Sequence, residues 1–553
     1  MKSILEHLRQ EALEYIDHSI GNMDIRSKQI LFVNCSMLYD KTYLDYMLAK
    51  ETDSKMFYHD IIRFGYPIFV SKLYDAEFEN LIGIALPKMD GERIRYCRSL
   101  LYAFKTVGWM EFFLINEKLG NFRISNYFNS CHIRFAKKYH WNEYIEKEYI
   151  EYFSGMVAEA LEKSEGYRHL EEKRQAIIEK MKPLVFPFLD AFIGYDSSYE
   201  IEEYFRDLAL MDAQQDTEWD FFDAESPFGG IAYEDYIDTI IGFAGYAIKH
   251  VYYCRLLQEK EPRILEENLM YNCIEYEKTI NLIMENRQLS QDRAEKVFYR
   301  MALDPNTVAT YRTHNLPPAP FIKVSKTHYY RSIAGSLHQP FGFFLENLHR
   351  CFPKDWDRNV NSRESIFKRQ LYEFFEDFIC LQTNIQISAN GKTITDIDAT
   401  IIDKETGEIG LFQLKWQDLT EYSYKSLSSK SKNYTSNSTQ WVNSVKTWIS
   451  TATQNELSSK FGIKGHYIDK EKIYIFVLGR RHGNYSANQY TDDGCAWAQW
   501  YQLLSCMIFL DKSNLRISSL HQLIRKTSPY KRRIMERKIR YKIGKYRIVF
   551  GGH

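Results

Sequence analysis

Residues 394–416 read ITDIDATIIDKETGEIGLFQLKW, and this stretch decides the fold of the C-terminal part of the chain. Two runs rich in apolar residues flank the polar segment Lys404–Gly407, which has the composition of a turn. The stretch therefore predicts a β-hairpin that turns at Gly407.

Four polar side chains of this hairpin carry the expected chemistry. Asp396 and Asp398 lie two residues apart, as do Gln413 and Lys415, so each pair is expected on one face of its strand. The hairpin brings the two pairs together. The oxygens of Asp396, Asp398 and Gln413 suit Mg²⁺ or Mn²⁺, which prefer hard oxygen ligands. Lys415 is expected to position the attacking water or to stabilise charge on a phosphate.

The elements around the hairpin alternate between helix and strand. Residues 361–380 predict a helix with one apolar face, and residues 383–391 predict a strand. The polar stretch 422–438 is expected either as a loop that touches phosphates or as a flexible linker. Periodicity then predicts a helix at 439–452, a strand at 472–479 and a helix at 495–510. The order is helix, three strands, helix, strand, helix.

The sequence Asp396-Ile397-Asp398, followed after fourteen residues by Gln413-Leu414-Lys415, resembles the PD-(D/E)xK nuclease superfamily. The resemblance covers residues 360–510 and implies the restriction-endonuclease-like fold, with an αβββαβ core. It implies that Asp398 is the central metal ligand and that Lys415 is the catalytic lysine. Gln413 stands at the position where most members carry an acid. Asp396 matches an acidic residue often found two positions before the central aspartate.

The same resemblance implies a glutamate on the preceding helix. Glu376 and Glu373 both project from a flanking face of that helix, and the sequence does not decide between them. The whole chain is therefore expected to be multidomain, with a large mostly α-helical N-terminal region and a C-terminal α/β restriction-endonuclease-like domain.

The function implied by the resemblance is that of a magnesium-dependent endonuclease, which hydrolyses DNA phosphodiester bonds. The implied setting is defence against phage or mobile elements in a prokaryote. Many nucleases of this superfamily act as pairs, so an oligomer is among the expectations. Two alternatives stay open. One is a catalytically silent module that binds nucleic acid and recruits or regulates a partner, and the other is an RNA-directed nuclease.

Charge is divided unevenly along the chain. Residues 361–553 hold 29 basic and 18 acidic side chains, whereas residues 1–360 carry a net charge of −12. A basic half indicates a polyanionic partner, here nucleic acid. The candidate nucleic-acid-binding residues are Lys425, Lys430, Lys432, Arg480, Arg481, Lys531, Arg532 and Arg533. The acidic half, with eleven acids at 196–225, is the candidate surface for a protein partner.

Four regions are expected along the chain. Residues 1–315 read as a mainly helical regulatory or sensor region with an internal break near residue 185, where two prolines occur. The proline-rich start of 316–360 predicts a linker and connecting segment. Residues 361–524 form the predicted nuclease domain, and residues 525–553 form a basic tail.

Composition indicates a cytoplasmic protein without a membrane partner. The sequence contains no apolar run near 18 residues and begins with a charged segment that lacks an apolar core. The nine cysteines are scattered and never two residues apart, so neither a zinc ribbon nor a CxxC redox site is expected. No phosphate-binding P-loop motif occurs.

Overall fold

The computed structural model describes residues 3–84, 86–120, 122–135, 152–156, 158–160, 162–215, 221–313, 316–389, 392–417, 424–463, 467–481, 494–510, 515–527 and 539–551. The chain divides into two compact units, each made of two segments. The first unit comprises Met1–Asn116 and Ala158–Trp356, and the second comprises Glu117–Val157 and Asp357–His553. No helix of the described residues is both long and apolar enough to cross a membrane.

Helices and several small sheets make up the described residues. The helices are α1 (Ile4–Ile20), α2 (Ile25–Leu48), α3 (Thr52–Asp60), α4 (Tyr66–Leu73), α5 (Gly91–Lys118), α6 (Glu165–Met181), α7 (Tyr199–Gln215), α8 (Tyr233–Lys260), α9 (Glu266–Leu269), α10 (Tyr276–Arg287), α11 (Gln291–Met301), α12 (Val308–Thr313), α13 (Ile333–Leu337), α14 (Pro340–Cys351), α15 (Pro353–Tyr372), α16 (Tyr424–Thr451), α17 (Gln454–Phe461), α18 (Trp500–Leu510) and α19 (Ile517–Lys526). The strands are β1 (Phe122–Tyr127), β2 (Ser130–Phe135), β3 (Val185–Phe188), β4 (Phe192–Tyr195), β5 (Pro227–Phe228), β6 (Ile231–Ala232), β7 (Cys273–Glu275), β8 (Ala302–Leu303), β9 (Phe321–Lys323), β10 (His328–Arg331), β11 (Ile379–Cys380), β12 (Ile385–Ala389), β13 (Lys392–Ile397), β14 (Ala399–Ile402), β15 (Ile409–Lys415), β16 (Ile473–Gly479), β17 (Ala496–Gln499), β18 (Ile539–Ile543) and β19 (Tyr546–Phe550).

Helices dominate the first unit. Helix α1 begins with a capping box, in which the Ser3 hydroxyl accepts from the Glu6 amide and the Glu6 carboxylate accepts from the Ser3 amide. The strands of this unit form two hairpins, β3–β4 and β5–β6, and a sheet in the order β7-β10-β9-β8. The break predicted near residue 185 is the β3–β4 hairpin, and it lies inside the unit.

The prediction of a linker at residues 316–360 is wrong for the part up to Trp356, which belongs to the first unit. The prolines do prevent a helix, but the extended backbone that results is buried as strand β9, paired with β10 and β8. Ala319 is fully buried, and a Cβ on Gly335 would lie only 2.1 Å from its carbonyl oxygen. An exposed linker would not be packed so closely.

Asp40 of α2 holds this segment in the first unit. Its buried carboxylate accepts from the Tyr330 hydroxyl at 2.7 Å, the Ser332 hydroxyl at 2.8 Å and the Ala334 amide at 2.8 Å. Burial raises the pKa of Asp40 to about 6, although each of these hydrogen bonds lowers the pKa in part. The group thus anchors the residues that follow strand β10.

A five-stranded sheet forms the centre of the second unit, in the order β11-β14-β15-β16-β17. Strand β14 is antiparallel to β11 and β15, whereas β15, β16 and β17 run parallel. The β14–β15 turn is the one predicted from the sequence. Gly407 adopts a positive φ of 71° there, and the Asp403 carboxylate accepts from the amide of Glu405.

Helices cover both faces of this sheet. Phe412 and Leu414 of β15 pack in one core with Phe367 and Leu371 of α15 and with residues of α18 and α19. On the other face, Leu411 packs with residues of α16 and α17. Because side chains alternate along β15, Gln413 lies on the same face as Leu411.

Several predicted elements of this unit differ from the structure. The helix predicted at 361–380 ends at Tyr372, and the helix predicted at 495–510 begins at Trp500, after strand β17. The predicted strand at 383–391 does exist as β12, but it pairs with β13 in a separate two-stranded sheet. The short strand β11 takes the edge place beside β14 instead. The predicted loop at 422–438 is the first half of helix α16 from Tyr424 onward. Serine and lysine do not prevent a helix, and the apolar side chains that follow hold it against the sheet.

The predicted basic tail is only partly a tail. Arg525 and Lys526 end helix α19, and strands β18 and β19 pair as an antiparallel hairpin. Strand β19 also pairs in parallel with β2, which gives a second sheet in the order β1-β2-β19-β18. The tail is therefore built into the second unit by strands that lie about 400 residues earlier in the chain.

Candidate active site

Asp398 lies at the junction of two strands. Strand β13 ends one residue before it and β14 begins one residue after it, and the two strands belong to different sheets. The Asp398 amide donates to the Phe412 carbonyl at 3.1 Å. Asp398 is 95% buried, and its carboxylate turns toward β15, where Oδ2 accepts from the Leu414 amide at 2.7 Å and from the Gln413 side-chain amide. The junction therefore directs Asp398 at Gln413, as the hairpin predicts.

The surroundings of the Asp398 carboxylate disfavour its ionised form. Burial is the main cause that raises its pKa to about 6, and the carboxylates of Glu364 and Asp396 raise it further. The Lys415 ammonium and the Leu414 amide act in the opposite direction. A buried carboxylate beside two others is a place where a cation would be favoured.

Lys415 is the last residue of β15 and remains 35% exposed. Its Nζ lies 4.0 Å from Oε1 of Glu364, which projects from helix α15. Glu364 thus reaches the same end of the sheet as Asp398 and Lys415. This glutamate was not among the predicted site residues.

The prediction that Glu373 or Glu376 joins the site is wrong. Both are exposed, and they lie in and after the 3₁₀ turn that leads into strand β11. That strand pairs with the Ile402 end of β14, the opposite end from Asp398. Glu364 lies nine residues before Glu373, which is about 13 Å along a helix. A sequence signal for Glu364 existed, because it falls three residues before Phe367 and continues the apolar stripe of α15 toward the sheet.

Asp396 lies near the site but is committed to the neighbouring hairpin. It pairs with Gln386 in the β12–β13 sheet, and its Oδ2 accepts from the side-chain amide of Asn384 at 3.2 Å. The carbonyl oxygen of Asp396 accepts from the Trp441 indole at 2.6 Å. The prediction that Asp396 and Asp398 share one face of one strand is wrong, because the strand is interrupted at Asp398.

Lys368 and Asn384 are further residues that the sequence did not single out. Lys368 donates to the side-chain oxygen of Asn384 at 3.0 Å and to the Gln382 carbonyl at 2.7 Å. Burial lowers the pKa of Lys368, and the Asp398 carboxylate partly restores it. The chain of contacts from Lys368 through Asn384 to Asp396 ties the β12–β13 hairpin to helix α15 beside Asp398.

Arg480 does not form a surface for phosphates, contrary to the prediction. Its side chain is 94% buried, with its guanidinium 4.8 Å from the Trp416 ring centre and 5.3 Å from that of Trp500. It also donates to the Gln370 side chain at 2.8 Å. The neighbouring Arg481 is partly buried and donates its backbone amide to the side chain of Gln417 at 2.9 Å. Arg480 therefore stabilises the core beside the site.

The structure does not describe the side chains of the other residues predicted to contact nucleic acid. Lys425, Lys430 and Lys432 lie on helix α16, but their side chains are not among those described. Lys531, Arg532 and Arg533 lie outside the described residues altogether. Their part in binding stays a prediction.

The donor set fits a hard divalent cation. Asp398 and Glu364 supply carboxylate oxygens, and Gln413, whose NH₂ group now faces Asp398, would supply an amide oxygen once its side-chain amide turned; all three are ligands that Mg²⁺ and Mn²⁺ accept. No group of three or more histidine, cysteine, aspartate or glutamate side chains is placed to hold a metal within the described part of the chain. A cation here would thus rely on two carboxylates, one amide and water. Comparisons of this chain with known protein families, with curated proteins and with solved structures found no match.

Proposed function

We propose that the second unit is a metal-dependent nuclease that hydrolyses phosphodiester bonds of DNA. The observation that carries the proposal is the meeting of Asp398, Gln413, Lys415 and Glu364 at one end of the five-stranded sheet. Oxygen ligands for a divalent cation beside a partly exposed lysine suit the hydrolysis of a phosphate diester.

The order of elements around the site supports the proposal. Apart from the β12–β13 hairpin and the short helix α17, the elements from α15 to β16 come in the order helix, three strands, helix, strand, namely α15, β11, β14, β15, α16 and β16. The first three strands are antiparallel neighbours, and the fourth is parallel to the third. We infer that this arrangement is a restriction-endonuclease-like core, with the β12–β13 hairpin inserted between the first and second strands of the sheet.

Each site residue has a role in this proposal. Asp398 and Glu364 would hold Mg²⁺ or Mn²⁺, and Gln413 would join them once its amide turns its oxygen inward. The cation would supply charge neutralisation at the phosphate and would lower the pKa of a bound water. Lys415 stays accessible at the strand end, where its ammonium can hold the attacking water or the charge that develops on the phosphoryl oxygens. Asn384 and Lys368 fix the hairpin that carries Asp396.

The biological setting is proposed by likeness of architecture alone. A mostly helical unit joined to a nuclease unit is similar to long nuclease-bearing proteins of prokaryotes that act against phage or mobile elements. In that setting the first unit would sense a trigger or recruit a partner, with the acidic residues 196–225 as its docking surface.

One contact favours a second candidate function. The Gln413 amide donates to Asp398, so the position that usually carries a metal-binding acid acts here as a hydrogen-bond donor. A module that binds nucleic acid without cutting it would not need a metal-binding acid at this position. Wild type and Gln413→Glu together separate the candidates, because a working nuclease cuts with Gln413 in place, whereas a module silenced by Gln413 should cut only after the acid is restored.

Cleavage is the direct test of the proposal. The purified full chain is incubated with supercoiled plasmid, linear duplex, single-stranded DNA and RNA, each with Mg²⁺, Mn²⁺ or EDTA. We expect metal-dependent cutting of DNA that is lost in Asp398→Asn and in Lys415→Ala. Asp403→Asn is the matched control, because Asp403 lies at the other end of the same β14–β15 hairpin and serves the turn.

The outcomes separate the candidates. Cutting that survives in both site variants would contradict the proposed site. Cutting of RNA alone would replace DNA by RNA as the substrate. Binding without cutting, unchanged in the variants, would favour the silent module.

A further inference from the structure

The second sheet of the second unit has two unlike faces. Register and burial assign Phe122, Cys131, Ile133 and Ile548 to one face, where all four are buried. This face is the apolar side of the sheet. Side chains alternate along each strand, so the residues one position away from these four, and their cross-strand partners, point to the opposite face.

That opposite face is strongly basic, and we name it the basic sheet face. Its described side chains are Arg123, Ser125, Tyr127, Ser130, His132, Arg134, Arg540, Lys542, Arg547 and Val549. All five arginine and lysine side chains among them are exposed. None of the described residues on this face is an aspartate or glutamate, so the charge is not balanced within the sheet.

Like charges face each other across the strands. Arg123 pairs directly with Arg134 in the β1–β2 ladder, and Lys542 pairs directly with Arg547 in the β18–β19 ladder. Such directly opposite like charges destabilise a sheet, whereas opposite charges would stabilise it. A sheet built for stability alone would avoid this arrangement. Two such pairs on one face indicate a polyanion that neutralises them.

Exposed aromatic side chains adjoin the basic sheet face. The turn between β1 and β2 places Phe128 at a φ of 47°, a left-handed conformation that an aromatic residue rarely adopts. The Phe128 side chain is wholly exposed, and Tyr127 beside it is largely exposed. The Tyr127 ring contacts His132 edge-on, with ring centres 5.5 Å apart. Glycine would fit this turn with less strain, so the exposed ring points to a stacking partner.

We propose that the basic sheet face binds single-stranded nucleic acid. The five cations would contact phosphates, and unpaired bases would stack on Phe128 and Tyr127. A duplex offers the phosphates but keeps its bases paired, so the aromatic tip favours a single strand. The choice of nucleic acid over an acidic protein rests on the proposed function, because the same unit carries the candidate phosphodiesterase site.

Binding without cleavage tests this inference apart from the proposed function. A fluorescent single-stranded DNA of about 20 nucleotides, long enough for several phosphate contacts, is titrated with the protein in EDTA. The fluorescence anisotropy is followed at several salt concentrations. The charge variants are Arg123→Gln with Arg134→Gln, and Lys542→Gln with Arg547→Gln. The control is Lys404→Gln with Lys472→Gln, two exposed lysines near the turn of the β14–β15 hairpin.

We expect each charge pair to weaken binding about tenfold or more and to reduce the salt slope by about 1.4, as expected for two lost phosphate contacts on a single strand. The melting temperature should stay unchanged or rise, because each variant removes a like-charge pair. Phe128→Gly should weaken binding about 5-fold to 150-fold, the range for one stacked base. The control should bind like the wild type.

Three results would overturn the inference. The first is equal binding by the charge variants and the control. The second is a fall in melting temperature that accounts for the lost binding, and the third is competition by poly-glutamate as strong as that by DNA. These outcomes do not depend on cleavage. A protein that cuts DNA but binds equally in all variants retains the proposed function, and a protein that binds through this face but never cuts retains the inference.

Discussion

Replacement of Asp398 by asparagine should abolish cleavage and, in the absence of metal, make the second unit more stable. The native pKa of Asp398 is about 6 against an ordinary value of 3.8, and burial is the main cause. The unfolded chain therefore releases this proton more readily than the folded chain. Above pH 6 the folded protein must hold an ionised carboxylate in a buried place, which costs about 3 kcal/mol for a pKa difference of about 2.

The sign of the effect follows from the direction of the shift. The folded pKa is raised, so the wild type loses stability as pH rises from about 4 to about 6, and the loss is complete above pH 6. Asparagine keeps an oxygen for the Leu414 amide and carries no charge. At pH 8 in EDTA the variant should be more stable than the wild type by up to about 3 kcal/mol, and near pH 4 the difference should vanish.

Divalent metal should cancel most of this difference at pH 8. Metal that binds only the folded wild type adds about 2.7 kcal/mol at one hundred times its dissociation constant. Hydrogen exchange of peptides from residues 399–415, read by mass spectrometry, measures the second unit itself and avoids the mixture of two unfolding units. Asp403→Asn serves as the control. An Asp398→Asn variant less stable than the wild type at pH 8 in EDTA, or a wild type unaffected by Mg²⁺ and Mn²⁺, would refute the reasoning.

Four further outcomes are expected. Glu364→Gln should weaken Mg²⁺ binding by about tenfold or more, whereas Glu376→Gln, in the turn after α15 and away from the site, should not; calorimetric titration compares them. Lys415→Ala should lower the cleavage rate by a factor of about 10²–10³ while Mg²⁺ affinity stays within about threefold, as single-turnover kinetics would reveal. Mg²⁺ affinity should fall about tenfold per pH unit below pH 6, where a proton competes for Asp398, and a constant affinity from pH 5 to 8 would contradict this. Arg480→Ala should destabilise the second unit by about 2–4 kcal/mol, because the guanidinium is buried against two indole rings, yet leave DNA affinity of the folded protein within about twofold.

Local pattern was enough to predict the hairpin and the centre of the site. A turn that ends in a glycine with positive φ, flanked by apolar runs, fixes the β14–β15 register. The two-residue period of a strand then places Gln413 and Lys415 on one face, and the register brings Asp398 to Gln413. The residues that make these contacts lie within about 20 positions of one another in the chain, so the contacts do not depend on pairing between distant segments.

The helix glutamate was missed for a different reason. Glu364 lies where the apolar stripe of α15 would continue, and a charged residue in that place is a signal that the helix face reaches a polar site. Glu373 and Glu376 lie closer in sequence to the hairpin than Glu364 does. Closeness in sequence misleads here, because α15 runs past the sheet and its later residues reach the opposite end of β14.

The basic sheet face lay beyond any local pattern. Strands β18 and β19 fall in the segment that reads as a basic tail, and β1 and β2 fall in the region that reads as mainly helical. Only the parallel pairing of β2 with β19 joins the two hairpins, and that pairing spans about 400 residues. A pairing so distant leaves no periodic trace in either segment, because each strand alternates in the same way with or without its partner.

The pairing also explains why the segment at 117–157 interrupts the first unit. Strand β19 has a neighbour on each side, β18 from its own hairpin and β2 from the distant segment. Without β2 it would be an unpaired edge strand that carries the apolar side chain of Ile548 on one face. The distant segment covers that edge and at the same time extends the basic side with Arg123 and Arg134. A neutral or acidic strand would cover the edge equally well. The choice of arginines opposite each other, at a cost in stability, is therefore best explained by a polyanion that the widened face binds.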